Sequence, residues 1–207
     1  MIAFNEWHII HNAVDRKTCK KIIALGKDSF KPGQADMHIE TKEDEERINE
    51  YGIDKDTRVS EIFWITNVKW VTDLLVPALA SANEKAGWKY DITAVEALQL
   101  TRYKKGGFYR WHADGQGCHL TAHTYGDKDP NKYVRKLSMT VILNSNYSGG
   151  EFQFCSYRQQ EQIISTPETG GTGSIIVFPS AMDHQIKPVT KGTRYSLVGW
   201  FIGPPFR

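Results

Sequence analysis

Two helical patterns precede a run of short strand-like segments. From Asp15 to Gly26, Cys19, Ile22, Ile23 and Gly26 recur on one helical face. Asp15 offers an N-cap oxygen and Gly26 a stop. Over residues 69–87, Trp70/Val71, Leu74/Leu75, Ala78/Leu79, Ala82 and Ala86 mark a longer helix that ends around Asn83–Gly87. Pro77 lies inside it and predicts a kink or a restart, because proline has no N–H to donate. From about Asp91 the texture changes. Strands are expected at Val95–Tyr103, Gly107–His112, Leu137–Asn144, Glu151–Cys155, Gln162–Ser165, Ser174–Phe178, His184–Pro188 and Arg194–Ile202. Gly106-Gly107, Ser148-Gly149-Gly150, Gly170-Gly171 and Lys191-Gly192 punctuate them.

Short strands joined by loops alone argue against βαβ units and for a two-sheet jelly roll, or double-stranded β-helix. The expected class is mainly β with supporting helices (α+β), the N-terminal helices packed on one sheet. A chain of 207 residues reads as a single domain over 1–207: helical support in 1–90, jelly-roll core in 91–207. Between the helices, Thr41 to Arg58 holds 11 charged residues in 18. That run predicts a solvated, mobile segment; the alternative is a lid across residues 31–60 that orders over bound substrate.

Charge changes the picture mainly by exclusion. With 26 basic and 24 acidic residues, the net charge is +2, which predicts no general attraction to nucleic acid or anionic membrane. Cys19, Cys118 and Cys155 form neither a disulfide framework nor a zinc motif, and read as free thiols in a reducing compartment. The N-terminus lacks the basic region of a signal peptide, and no apolar run reaches the ~18–20 residues needed to cross a bilayer. A soluble cytoplasmic protein is expected.

Candidate chemistry concentrates in the second half. His112-Ala-Asp114 closes a strand, and His184 opens another. Residues i and i+2 of a strand share a face, so His112 and Asp114 could share one metal. Two imidazoles and one carboxylate can hold three positions on one face of an iron(II) ion and leave the rest open. Alone the HxD pair is weak, since 7 histidines and 24 acids give about 0.8 such pairs by chance. His38-Ile-Glu40 is a decoy beside the charged run, and His119 and His123 read as surface or second-shell histidines in a loop. Arg194, Ser196, Val198 and Trp200 fall on one face of the last strand. An inward arginine there needs an anionic partner, and no acid alternates near it. A bound dicarboxylate is the natural candidate; a protein carboxylate or solvent is the alternative.

The segment from Val95 to Phe201 resembles the iron(II)/2-oxoglutarate-dependent dioxygenases, within them the prolyl hydroxylase branch. The resemblance is carried by Leu98–Tyr103, Gly107–Asp114, Arg135–Asn144, Gly149-Gly-Glu-Phe152 and His184 through Trp200, in family order and spacing. It implies that His112, Asp114 and His184 bind Fe(II). It also implies that Arg194 pairs with the distal carboxylate of 2-oxoglutarate, with Tyr103 and Ser196 adding hydrogen bonds. Tyr109, Arg135 and Trp200 match positions near the substrate mouth. The implied reaction consumes 2-oxoglutarate and dioxygen, releases succinate and carbon dioxide, and hydroxylates a C–H bond, with ascorbate as reductant. The presence of Asp114 favours hydroxylation over halogenation.

The resemblance further implies a proline-containing peptide or protein as substrate, with a free amino-acid or small-molecule hydroxylase as the alternative. Ile142 and Arg194 differ from the tyrosine and lysine of some relatives, so the subfamily stays open. Nucleic-acid demethylases of this chemistry carry a second arginine where this chain has Trp200, which counts against that substrate. The compact form resembles bacterial or phage-encoded members, the latter acting in a host cytoplasm. A non-catalytic jelly-roll binding module with structural histidines is the rival from outside enzymology.

Overall fold

The computed structural model of the chain describes residues 5–33, 55–115, 133–158 and 161–206. Along the chain these form β1 (His8–Ile10), α1 (Arg16–Leu25), β2 (Lys31–Pro32), β3 (Arg58–Val59), β4 (Glu61–Ile65) and α2 (Lys69–Lys85). There follow β5 (Ala94–Val95), β6 (Leu98–Tyr103), β7 (Phe108–His112), β8 (Val134–Ile142), β9 (Tyr147–Gly149) and β10 (Phe152–Arg158). The C-terminal strands are β11 (Glu161–Ser165), β12 (Ile175–Pro179), β13 (Asp183–Ile186), β14 (Val189–Gly192) and β15 (Arg194–Gly203).

A major sheet runs in the order β1-β12-β8-β15-β6-β4-β2, with β5 also paired to β15. A minor sheet runs β11-β10-β13-β7-β3, and β14 with β9 makes a separate ribbon. Every pairing is antiparallel. This is the expected jelly roll with helical support.

Alternation along the major sheet builds two layers of core. Leu98, Leu100, Leu137, Met139, Val141, Ile175, Val177, Leu197 and Phe201 face one way and pack with Cys19 and Ile22 of α1 and Val71, Leu75, Leu79 and Ala82 of α2. Residues of the opposite parity, Tyr103, Ile176 and Phe178, join Phe152, Phe154 and Ile186 of the minor sheet between the sheets. A strand buried on both faces reads as a near-continuous apolar run. Ser174-Ile-Ile-Val-Phe is such a run.

Both helices lie where the periodicity places them. Asp15 accepts a hydrogen bond from the Thr18 amide (2.9 Å) and another from its hydroxyl (2.6 Å), capping α1. Gly26 ends α1 at φ −101°, outside the left-handed region, so space rather than backbone freedom explains the glycine. A Cβ there would sit 2.9 Å from Leu100 and 3.2 Å from Phe63. Of the kink or restart expected at Pro77, the restart does not occur: α2 continues through it over 17 residues. The missing N–H removes one helical bond, and burial of Val71, Leu75, Leu79 and Ala82 keeps the turns on either side aligned on the sheet.

Strand bounds shift in places. The expected strand 95–103 is interrupted between β5 and β6, and β8 begins at Val134, ahead of the expected Leu137. Most of the charged run, the greater part of the expected 31–60 lid, His38-Ile-Glu40, Cys118, His119 and His123 lie outside the described residues. The ends of that segment are strands: β2 pairs with β4, and β3 with β7. Arg58, counted with the solvated run, is buried at 6% exposure. No helix among the described residues is long and apolar enough to cross a membrane.

Leu197 stands opposite both Leu100 and Val141 and is fully buried, so Leu197→Ala opens a void that rigid sheet neighbours cannot close. A loss of about 3 kcal/mol is expected, read as a lower urea midpoint with an unchanged slope.

Candidate metal centre and arginine pocket

β13 pairs with β7 so that His184 faces His112 directly across the strands. Asp114 follows two residues after His112, where the chain leaves β7. One ligand atom from each of the three residues lies within 4.8 Å of the others. His112 Nε2 is 3.8 Å from Asp114 Oδ1, and His184 Nε2 is 3.6 Å from Asp114 Oδ2.

The tautomers follow from the backbone. His112 Nδ1 lies 2.8 Å from the Arg110 carbonyl and His184 Nδ1 2.9 Å from the Met182 carbonyl. A carbonyl can only accept, so each Nδ1 carries the proton and each Nε2 offers its lone pair to the centre. Carbonyl groups two residues upstream thus orient both rings, as second-shell partners of metal-binding histidines do. Phe178 (4.7 Å between centroids) and Phe152 (5.4 Å, near-parallel) pack the His184 ring.

The register also contains a bulge. His184 is opposite His112 and Ile186 opposite Tyr109, so three residues of β7 span two of β13. The extra residue turns Tyr109 onto the face of His112, where the rings stack at 3.5 Å and 16°. Simple alternation would have separated them.

Asp114 is held from several sides. Arg135 donates to the Asp114 carbonyl (3.0 Å) and forks onto Glu96 through Nε (2.8 Å) and Nη2 (2.7 Å). The Gly115 amide donates to the Ser180 carbonyl, and the Ser180 amide to the Lys136 carbonyl. Burial alone would raise the Asp114 carboxyl. His184 and His112, a hydrogen bond from the Ser138 hydroxyl and the Arg135 charge outweigh it, leaving the carboxyl below its ordinary value. His112 moves down to about 3: burial and the charges of His184 and Arg58 exceed the opposing pull of Asp114 and the Arg110 carbonyl. Its imidazole is therefore neutral and free to ligate at neutral pH. The donor set, one hard anionic oxygen and two neutral nitrogens, fits iron(II).

Arg194 opens β15 opposite Tyr103 and is 2% exposed. Its Nη1 donates to Ser196 Oγ at 3.0 Å, and its guanidinium lies 5.5 Å from the centre of the Tyr103 ring. No carboxylate of a described residue pairs with it, and its Nε has no partner. Gly150 (φ +67°) brings backbone against this arginine: a Cβ there would meet Arg194 Cδ at 3.1 Å. Tyr103 packs in the same cluster as Phe152 and Phe178, which flank His184, so the arginine pocket adjoins the histidines.

Trp200, on the same strand face, also has a buried ring N–H without a partner among the described residues. Arg135 lies 4.3 Å over its ring, and the half-exposed Trp64 5.9 Å away. Of the residues singled out for chemistry, then, His112, Asp114 and His184 meet, with Tyr109 stacked on the first. Arg194, Tyr103 and Ser196 meet beside them, and Arg135 and Trp200 meet near Asp114. Ser138, Gln99 and Arg58 do not stand out in the sequence; the signal for the first two is the alternation of polar with apolar residues, Gln99 and Thr101 in β6 and Ser138 and Thr140 in β8.

A family model described as the 2OG-Fe(II) oxygenase superfamily matches residues 98–202, just over half of the chain. The chain belongs to that superfamily. A PKHD-type hydroxylase of Synechococcus sp. (strain CC9902) is 32% identical over 111 residues, covering 53% of this chain and 42% of that protein. A PKHD-type hydroxylase of Stenotrophomonas maltophilia (strain R551-3) is 32% identical over 104 residues, 49% of this chain and 41% of its own. The chain thus aligns with about two fifths of the length of these relatives. A Pseudomonas putida prolyl-4-hydroxylase matches with TM-score 0.62 and 17% identity, over 100% of this chain and 96% of its own. A Trichoplax adhaerens prolyl hydroxylase, solved with a hypoxia inducible factor oxygen degradation domain peptide fragment, matches with TM-score 0.65 and 18% identity, over 95% and 83%. At such identities the likeness is one of fold.

The lowered His112 carries a stability consequence. Unfolded, an imidazole takes up a proton below about 6.5, whereas in the folded site it resists until about 3. The contribution is complete above pH 6.5 and is lost progressively as pH falls toward 3. Urea midpoints of the metal-free protein should drop between pH 7 and pH 5, and His112→Gln should flatten that decline.

Proposed function

We propose that the chain is an Fe(II)- and 2-oxoglutarate-dependent hydroxylase acting on a prolyl residue of a peptide or protein. One observation carries the reading: a buried arginine with no acidic partner among the described residues, beside a His–Asp–His set whose ligand atoms converge. With iron, 2-oxoglutarate and dioxygen supplied, the chemistry is oxidative decarboxylation to succinate and carbon dioxide, with one oxygen inserted into a substrate C–H bond.

The chain's own residues bind, orient and exclude. His112 and His184 present Nε2, Asp114 presents its carboxylate, and together they would hold the metal. Arg194 would take the distal carboxylate of 2-oxoglutarate as a planar fork, helped by the Ser196 and Tyr103 hydroxyls. Burial of this ion pair strengthens it by excluding water. Arg135 steadies the Asp114 backbone from behind, so its part is positioning. Tyr109 and Trp200 line the approach to Asp114 and His112, and the free indole N–H of Trp200 suits a peptide carbonyl. The prolyl substrate is supported by the fold shared with the Pseudomonas putida prolyl-4-hydroxylase and with the Trichoplax prolyl hydroxylase solved with a peptide. Ascorbate is proposed as the reductant that keeps the iron in its ferrous state.

Purified protein given Fe(II), ascorbate and 2-oxoglutarate should release succinate, and His112→Ala should abolish this. Arg194→Met should raise the KM for 2-oxoglutarate at least about 30-fold, since a buried charge pair is lost. Proline-containing peptides should gain one oxygen by mass spectrometry. Oxidation of free amino acids with peptides untouched would sink the substrate assignment, and absence of succinate would sink the chemistry.

A further inference from the structure

Arg58 closes the charged run of the sequence yet sits inside the protein. β3 carries it opposite Tyr109. Its Nε donates to Ser60 Oγ at 2.6 Å and its Nη2 to Gln99 Oε1 at 2.8 Å. Gln99 Oε1 also accepts from Thr101 Oγ1 (3.2 Å), which ties the pair to the inner face of β6. The Arg58 guanidinium carbon lies 4.5 Å over the Tyr109 ring. His112, stacked at 3.5 Å, already fills one face of that ring, so the guanidinium covers the other.

The three groups form a column: guanidinium, phenol ring, imidazole. Its outer end is fastened to the major sheet and its inner end is the His112 ring. We propose that Arg58 is a positioning residue of the metal centre, pressing Tyr109 against His112 and thereby fixing the plane of that imidazole. The reason lies in what else restrains the ring. The hydrogen bond from Nδ1 to the Arg110 carbonyl fixes one nitrogen but leaves the ring free to swing about that bond. Tyr109 blocks the swing from the bulged part of β7, where it pairs with Ile186 of β13 on one side and Arg58 of β3 on the other. A guanidinium pinned by two hydrogen bonds backs the far face of that ring, and a cation over a desolvated aromatic face is attracted to it. Arg58 also links β3 of the minor sheet to β6 of the major sheet, so the column sets the gap between the sheets at this point.

This inference rests on the proposed role of His112 as a metal ligand, and its test reads metal affinity rather than turnover. Mn(II) binding to the full chain is followed by electron paramagnetic resonance, with urea unfolding alongside. Arg58→Met keeps the bulk but removes the charge and both hydrogen bonds. It should weaken Mn(II) about tenfold, the scale seen when partners behind a ligand are removed. Tyr109→Leu should do the same, and the double variant should be no weaker than the weaker single, because Arg58 acts through Tyr109. If Arg58→Met does not fold, Arg58→Lys, which keeps the charge but cannot make both bonds, completes the same cycle with a smaller loss.

A purely structural role would lower the urea midpoint and leave the Mn(II) affinity of the folded variants unchanged. That result, or losses that multiply in the double variant, would overturn the proposal while leaving the proposed function standing. Failure of the parent chain to bind Mn(II) would overturn both.

Discussion

Everything at the centre depends on the pairing of β13 with β7. It sets His184 opposite His112, and a slip of one residue would turn one histidine to the far side of the minor sheet. Asp114 then needs no special placement, because the chain leaves β7 beside the ligands and is stitched to the Ser180 turn by backbone bonds. The bulge within the same pairing brings Tyr109 over His112 as a third consequence. A single register thus sets two nitrogen donors, the approach of the carboxylate and the aromatic wall behind one ring.

Holding charge in the space between two sheets works against stability, and the fold limits that penalty locally. Asp114 is surrounded by donors and imidazoles, and Arg58 bonds to Gln99 and Ser60. Arg194 is the exception: among the described residues its guanidinium donates to Ser196 and its Nε has no partner. A buried guanidinium left in that condition destabilises the ligand-free chain. The same shortfall would favour an incoming dicarboxylate, because binding would relieve it. Preorganisation for an anion and weakness without one are therefore the same physical fact.

How far the sequence disclosed this can be judged from particular residues. The helices were legible because Asp15, Gly26 and the 69–87 spacing are local signals. Arg194, Ser196 and Trp200 were legible on one face because β15 alternates without interruption through that stretch. Pro77 does not restart the helix, since a breaker's local penalty is outweighed by the burial of four helix residues on the sheet. The strands β3, β4 and β9 were too short or too mixed to stand out, and β3 closes a run of charge. The Tyr109 stack was hidden for a different reason: a bulge is a property of two paired strands, and neither β7 nor β13 announces it alone.

The two sheets divide the labour according to how firmly each is held. The major sheet is packed by helices on one face and by aromatic core on the other, and it carries Arg194 and Trp200 at two ends of one strand face. Six residues of strand separate them by roughly 20 Å. The minor sheet carries the histidines, no helix among the described residues packs on it, and Tyr157, Ile163 and Ile164 are exposed on its β10–β11 side. What keeps its ligands in step with the arginine is a pair of polar links between the layers: Arg135 to the Asp114 carbonyl and Arg58 to Gln99. Apolar contact alone would fill that gap without specifying an angle. Directional bonds specify it, which is why Gln99 of β6 is buried between the sheets instead of lying in solvent.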